Sequence, residues 1–260
     1  MSKKYNIIIT GASKGLGRAM VETIMLKYPK ANVTAVARSQ ADLNDLVTKF
    51  GSSRVLAICG DITVKSTMED AINGTLNKWG SIDGVIFNAG LLSPVQHLHD
   101  QNYDIEGAKR LFDVNYFSIV QFTNMLFNKL GISPREMKGE DANLNIIIVS
   151  TGSSTRACDG FLAYGSSKAA VNLLCAHIHQ ELYPIVRSVS VAPGVVDTNM
   201  QIDIRNQYKD AIIPEVYQKY VDLYNSGKLL NPMDVAVVYC KLVIDGIPDE
   251  VDGKYVRWNE

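Results

Sequence analysis

The 260-residue chain predicts a single α/β domain, a doubly wound parallel sheet with helices on both faces. Three observations carry this. Short apolar runs alternate with longer amphipathic segments, the rhythm of strand–helix–strand crossovers. The short runs are apolar throughout and rich in β-branched residues, as parallel strands buried on both faces require. A glycine-rich turn joins the first run to the first amphipathic segment.

The elements follow in order. Residues 6–10 (NIIIT) form the first expected strand, and residues 15–28, opening on glycines, the first helix. Strands at 32–37 and 54–59 alternate with helices at 41–50 and 64–79. A short strand at 85–87 ends at Asn88-Ala89-Gly90. The apolar periodicity of residues 108–130 predicts one long helix. Residues 131–142 mix Gly, Pro and charge and predict a surface connection. A strand at 145–149, a helix at 163–182 and a strand at 189–191 come next. Residues 195–230 then make an excursion too long for a simple connection, and such excursions at strand ends often cover sites. A late helix is expected near 232–242, and an edge strand within 252–258.

Composition narrows the function. With 47% hydrophobic and 20% charged residues the chain can bury a substantial core, and one domain over residues 1–260 is expected rather than two. Lys and Arg number 26 against 27 acids, without charge blocks, which argues against nucleic acid as a partner. The apolar run in MSKKYNIIIT is far too short for a signal peptide or a membrane span, so no membrane partner and a cytoplasmic location are expected. Cys59, Cys158, Cys175 and Cys240 form no C-x-x-C pair and are expected as scattered buried thiols. His97/His99 and His177/His179 are H-x-H pairs. The second pair diverges on the expected helix, and no metal site is predicted.

Two motifs carry chemistry. Residues 10–17, Thr-Gly-Ala-Ser-Lys-Gly-Leu-Gly, lie between a strand and a helix. Glycines there allow a tight turn and close backbone approach to a pyrophosphate, while the helix N-terminus offers free N–H groups and a positive dipole end. Tyr164 and Lys168 stand one helical turn apart, so both project from one face. A nearby cation is expected to lower the tyrosine pKa and suit it to proton exchange near neutral pH. The same spacing recurs in Tyr224 and Lys228, where Asn225 and Gly227 argue against a continuing helix.

These motifs, with Asn88-Ala89-Gly90, Asn115 in LFDVNYFS, Ser150-Thr151, and Pro193-Gly194 with Thr198, resemble the landmarks of the short-chain dehydrogenases/reductases, in order over nearly the whole chain. LFDVNYFSIV, APGVVDTNMQ, GIPDEVDGKYVRWN and YGSSKAA look like fungal benzil-reductase-type members, with sepiapterin reductases more distant. The resemblance implies a Rossmann-type fold and a nicotinamide cofactor held by Gly11, Ser13, Lys14, Gly15, Leu16 and Gly17. It puts Asp61 and Ile62 at the adenine, Asn88 at the ribose, and Pro193, Val196 and Thr198 near the carboxamide. It implies that Tyr164 protonates a carbonyl oxygen, that Lys168 holds the ribose and tunes Tyr164, and that Asn115 supports a water chain. The family's substrate-binding serine is replaced by Thr151, with Ser150 the alternative. A homodimer or homotetramer, packed through residues 116–127 and 163–182, is also implied.

Cofactor choice is read from residues. An NAD site usually carries an acid after the second strand, where this chain has Ala37-Arg38. A guanidinium suits a 2′-phosphate, and Lys14 is a second candidate cation, so NADP(H) is expected. The function so predicted is NADPH-dependent reduction of a small-molecule carbonyl, a ketone or α-dicarbonyl. A reductase of one metabolite such as a pterin, or a non-catalytic NADP sensor, are the alternatives.

Overall fold

The computed structural model describes residues 4–133 and 144–260, so most of the expected connection at 131–142 lies outside the described residues. Seven parallel strands form one sheet in the order β3-β2-β1-β4-β5-β6-β7. They are β1 Tyr5–Thr10, β2 Ala31–Ala37, β3 Val55–Cys59, β4 Gly84–Phe87, β5 Leu144–Val149, β6 Val186–Ala192 and β7 Tyr255–Arg257. The helices are α1 Gly15–Lys27, α2 Gln40–Phe50, α3 Lys65–Trp79, α4 Ile105–Phe112, α5 Ser118–Leu130, α6 Leu162–Leu182, α7 Asn199–Gln207, α8 Pro214–Asn225 and α9 Pro232–Ile244.

Strand alternation builds a core on each face. Ile7 and Ile9 pack with α1, α2 and α9, including Met20, Ile24, Leu46 and Tyr239. Ile8 points the other way, into α3, α5 and α6, including Met68, Phe122 and Val171. Each such fully buried side chain contributes about 1.5–3 kcal/mol over an exposed one. Glycines in left-handed conformation end α3 and α5: Gly80 at φ 85° and Gly131 at φ 65°.

The predicted helix over 108–130 is not continuous. It begins at Ile105 and is interrupted by a π-helical turn at Asp113–Phe117. In that turn the Ser118 N–H reaches back to Asp113, and the Ser118 hydroxyl donates to the Val114 carbonyl at 2.7 Å. Apolar periodicity does not reveal such a one-residue expansion, which marks functional sites in many helices. The expected burial of all four thiols is also corrected. Cys175 and Cys240 are buried, but Cys59 is exposed and Cys158 partly so. Among the described residues no helix is long and apolar enough to cross a membrane.

A third apolar cluster lies at the C-terminal ends of the strands, where α4, α7, α8 and the start of α6 meet. It contains Leu92, Leu111, Phe161, Tyr164, Ile204 and Ile212. The excursion after β6 therefore folds as two helices against this cluster. Its ends lie side by side, with the Asp197 N–H on the Leu230 carbonyl and the Leu230 N–H on the Val195 carbonyl, both at 2.9 Å.

Candidate active site

The chain runs from β1 outward to β2 and β3, then returns to place β4 on the other side of β1. Such a reversal opens a crevice at the carboxyl ends of the strands, the usual ligand site of open α/β sheets. A cavity of about 220 Å³ lies there, lined by Gly11, Ser13, Lys14, Ala37, Arg38, Gly60, Asp61, Ile62 and Ala89–Leu91, with Arg110 and Val114 from the α4 side. A larger cavity of about 580 Å³ lies by Tyr5, Asp83, Asn145 and residues 244–250. It is at the amino-terminal ends of the strands and holds none of the motif residues, so size does not mark the site.

The glycine loop is braced from β4. Asn88 Nδ2 donates to the Thr10 and Gly11 carbonyls at 3.1 Å each, and Thr10 Oγ1 accepts from the Asn88 and Ala89 N–H groups at 3.1 Å each. The Asn88 Nδ2 donors are thereby committed to the loop. A Cβ on Gly17 would fall 2.2 Å from the Gly11 carbonyl oxygen, so only glycine fits. Leu16 is buried in the core and does not line the cavity.

The residues fit a dinucleotide. α1 starts after Lys14 with no capping side chain and no acid in its first turn, leaving its N-terminal N–H groups to an anion. Arg38 is exposed beside neutral Ala37, and Lys14 stands 3.9 Å from Asp42 at the start of α2. Asp61 is held below the usual carboxylate range, first by the Thr63 backbone N–H at 2.9 Å, with Arg38 and Arg110 contributing. Arg110 was not a predicted site residue. It lies one turn before Val114 on the segment that carries Asn115, and that spacing was its only signal.

The second group of residues gathers around Tyr164. Tyr164 is 9% exposed and Lys168 2%. The Thr151 hydroxyl lies beside the Tyr164 phenol and works against the effect of burial on it. Ser150 faces away: its hydroxyl donates to Asn172 Oδ1 at 2.7 Å and stands 3.3 Å from the Ser154 hydroxyl. Successive residues of extended backbone point to opposite sides, and Thr151 is extended at φ −157°, ψ 157°. Of the two hydroxyls, Thr151 is the one brought to the phenol.

The expected lowering of the Tyr164 pKa by Lys168 is not what the structure shows. Burial pushes Tyr164 up to about 12, and the opposing influence comes from Thr151. Burial also lowers Lys168 to about 8, while its Nζ donates to the Val149 carbonyl at 2.7 Å. The ammonium is thus tied to the end of β5. Asn115 is equally committed. Its Oδ1 accepts from the Leu91 N–H at 2.7 Å, and its Nδ2 donates to the Leu91 carbonyl at 2.9 Å and to Ser167 at 3.1 Å. Its side chain joins the loop after β4 to α6, beside Lys168. A Cβ on Gly90 would stand 3.3 Å from Asn115 Oδ1 and 3.6 Å from Lys168 Nζ, so glycine keeps that side of the crevice clear.

The remaining predicted residues fall after β6. Pro193 follows the strand directly, Val196 is buried and bridges to Leu230, and Thr198 packs over Gly15. Tyr224 and Lys228 do not repeat the Tyr164 arrangement. α8 ends at Asn225, Gly227 has φ 63°, and the Tyr224 ring lies under Arg205 at 4.1 Å. Among the histidines, His97 Nε2 bonds to Asp159 at 3.0 Å, and His99 stacks on His97. His97, His99 and Asp100 bring one ligand atom each within 4.8 Å of one another on that surface loop.

A glycine-rich loop at the sheet reversal, with buried Tyr164 and Lys168 and half-buried Thr151 beside it, fits one class: a Rossmann-type, dinucleotide-dependent oxidoreductase. The sequence pattern of the short chain dehydrogenase family matches residues 5–209, and the chain belongs to that family. It is 39% identical over 258 residues to a benzil reductase ((S)-benzoin forming) of Saccharomyces cerevisiae, covering 98% of this chain and 95% of that one. Among solved structures, the KRED1-Pglu enzyme superposes with a TM-score of 0.88 at 38% identity, covering 97% of this chain and all of that one. A short-chain dehydrogenase/reductase of S. cerevisiae gives 0.90 at 34% identity, covering 98% and 96%. The family uses nicotinamide dinucleotides, of either NAD or NADP type.

Proposed function

We propose that this protein is an NADPH-dependent carbonyl reductase acting on an apolar ketone or α-dicarbonyl, with benzil-like diketones the best fit. The observation that carries it is the Thr151 hydroxyl placed beside the buried Tyr164 phenol, at the edge of an apolar cluster and one helical turn from Lys168. When bound, the reduced nicotinamide supplies hydride to the carbonyl carbon. Thr151 holds the carbonyl oxygen, and Tyr164 gives it a proton. With its pKa near 12, Tyr164 stays protonated at neutral pH, as a proton donor for reduction must. Lys168, protonated below about pH 8, keeps a positive charge behind the forming alkoxide.

Arg38 and Lys14 serve as partners for a 2′-phosphate, and the absence of an acid at Ala37 removes repulsion. Met200, Ile204, Ile212 and Tyr217 of residues 195–230 pack on the Tyr164 cluster and act as a cover that excludes water. That apolar lining favours aryl ketones over a polar pterin. Phe117 and Leu173, 55% and 62% exposed beside α5 and on α6, suit a face shared with a second copy. The test is NADPH oxidation with a panel of ketones, dicarbonyls and pterins, run on wild type and Tyr164→Phe. Wild type should favour aryl dicarbonyls, and the variant should lose at least about a hundredfold in turnover while still binding NADPH. Cofactor binding with no oxidation on any member of the panel would leave a sensor and refute the reductase.

A further inference from the structure

A second phenol approaches Tyr164 from the covering segment. Tyr220 of α8 packs on the cluster that holds Tyr164. Phe161 stands beside both, its ring 6.2 Å from Tyr164 and 6.4 Å from Tyr220. The Tyr220 hydroxyl has the Cys158 thiol as its neighbour, and burial raises its pKa, so it remains a neutral donor. Proton delivery by Tyr164 has no use for it. A thiol is a weak partner, readily exchanged for a carbonyl oxygen.

An α-dicarbonyl carries two oxygens on adjacent carbons. Thr151 and Tyr164 engage one, and the other then lies a few ångströms further into the apolar cluster, where an unpaired carbonyl is disfavoured. We propose that Tyr220 is a specificity-determining residue, which donates a hydrogen bond to the second carbonyl oxygen and makes adjacent dicarbonyls the preferred substrate class. This rests on the reductase reading above. The covering segment then acts on substrate choice as well as on water.

The test compares benzil with deoxybenzoin (1,2-diphenylethanone), which has the same carbon skeleton and lacks the second oxygen. Tyr220→Phe keeps the ring and its packing. The kcat/KM for benzil should fall about tenfold or more in the variant, and that for deoxybenzoin should change less than about twofold, with NADPH affinity retained. Equal losses on both substrates would reduce Tyr220 to a packing role and overturn the proposal. So would an unchanged benzil rate. A wild-type enzyme that reduces deoxybenzoin but not benzil overturns it while leaving the reductase reading intact; one that reduces no carbonyl compound overturns both.

Discussion

Lys168 is a buried ammonium, and its replacement by methionine separates function from stability. Its ordinary pKa of 10.5 falls to about 8 in the fold because burial disfavours the charge. That gap corresponds to roughly 3–4 kcal/mol, at about 1.4 kcal/mol per unit. For a base with a lowered native pKa, the penalty is full below about pH 8, where folded and unfolded chains are both protonated. It disappears above 10.5, where both are neutral. Between these limits the unfolded chain binds more protons, so wild-type stability rises with pH. Most of that gain, on the order of 2–3 kcal/mol, falls between pH 7 and pH 10. Lys168→Met has no such titration, and the other ionisable groups cancel in the comparison. The variant does forfeit the hydrogen bond to the Val149 carbonyl, which offsets part of its advantage at pH 7. The assay is urea unfolding of both proteins at pH 7 and pH 10 without nucleotide. Wild type should gain on the order of 2–3 kcal/mol on the variant between the two. Carbonyl reduction by wild type should also decline as pH rises through about 8, and the variant should be inactive. A stability difference that does not move with pH would show that Lys168 is not buried as a cation, and the argument for its charge in the site would fail.

Three further outcomes are expected. Thr151→Val keeps shape and removes the hydroxyl, so kcat should drop by about a hundredfold with cofactor affinity near wild type; Ser150→Ala, whose hydroxyl faces Asn172, should be mild, and the reverse pattern would exchange the two roles. In Arg38→Asp, NADPH binding should weaken by about tenfold to a hundredfold with NADH less affected, from loss of one charge-assisted contact of about 1.5–3 kcal/mol; a retained NADPH preference in kcat/KM would clear Arg38 of the assignment. Asp159 Oδ2 accepts the Ile213 N–H at 2.7 Å and bonds His97 at 3.0 Å, pinning the start of α8 to the loop before α6. Asp159→Ala should raise substrate KM several-fold and leave NADPH affinity alone, and an unchanged KM would mean that the segment does not cover substrate.

What the sequence determined is local. Continuous apolar runs required buried parallel strands, and glycines between β1 and α1 required a tight turn at a helix N-terminus. The four-residue spacing of Tyr164 and Lys168 required one helical face, and Asn225 with Gly227 kept the second copy from forming a matching pair. Each follows from residues within a turn or two of one another. The tertiary structure decided whatever depends on distant partners. Ser150 and Thr151 are chemically alike, and only Asn172 and Tyr164, brought in by α6, tell them apart. Lys168 reads as a cation that lowers its neighbour's pKa. Burial instead raises Tyr164 and lowers Lys168, because desolvation depends on everything packed around a group and spacing along the helix carries none of that. The approach of Tyr220 to Phe161 arises in the same way, from the meeting of α6 and α8 at the carboxyl end of the sheet, and apolar periodicity gave no sign of the π-helical turn at Asn115.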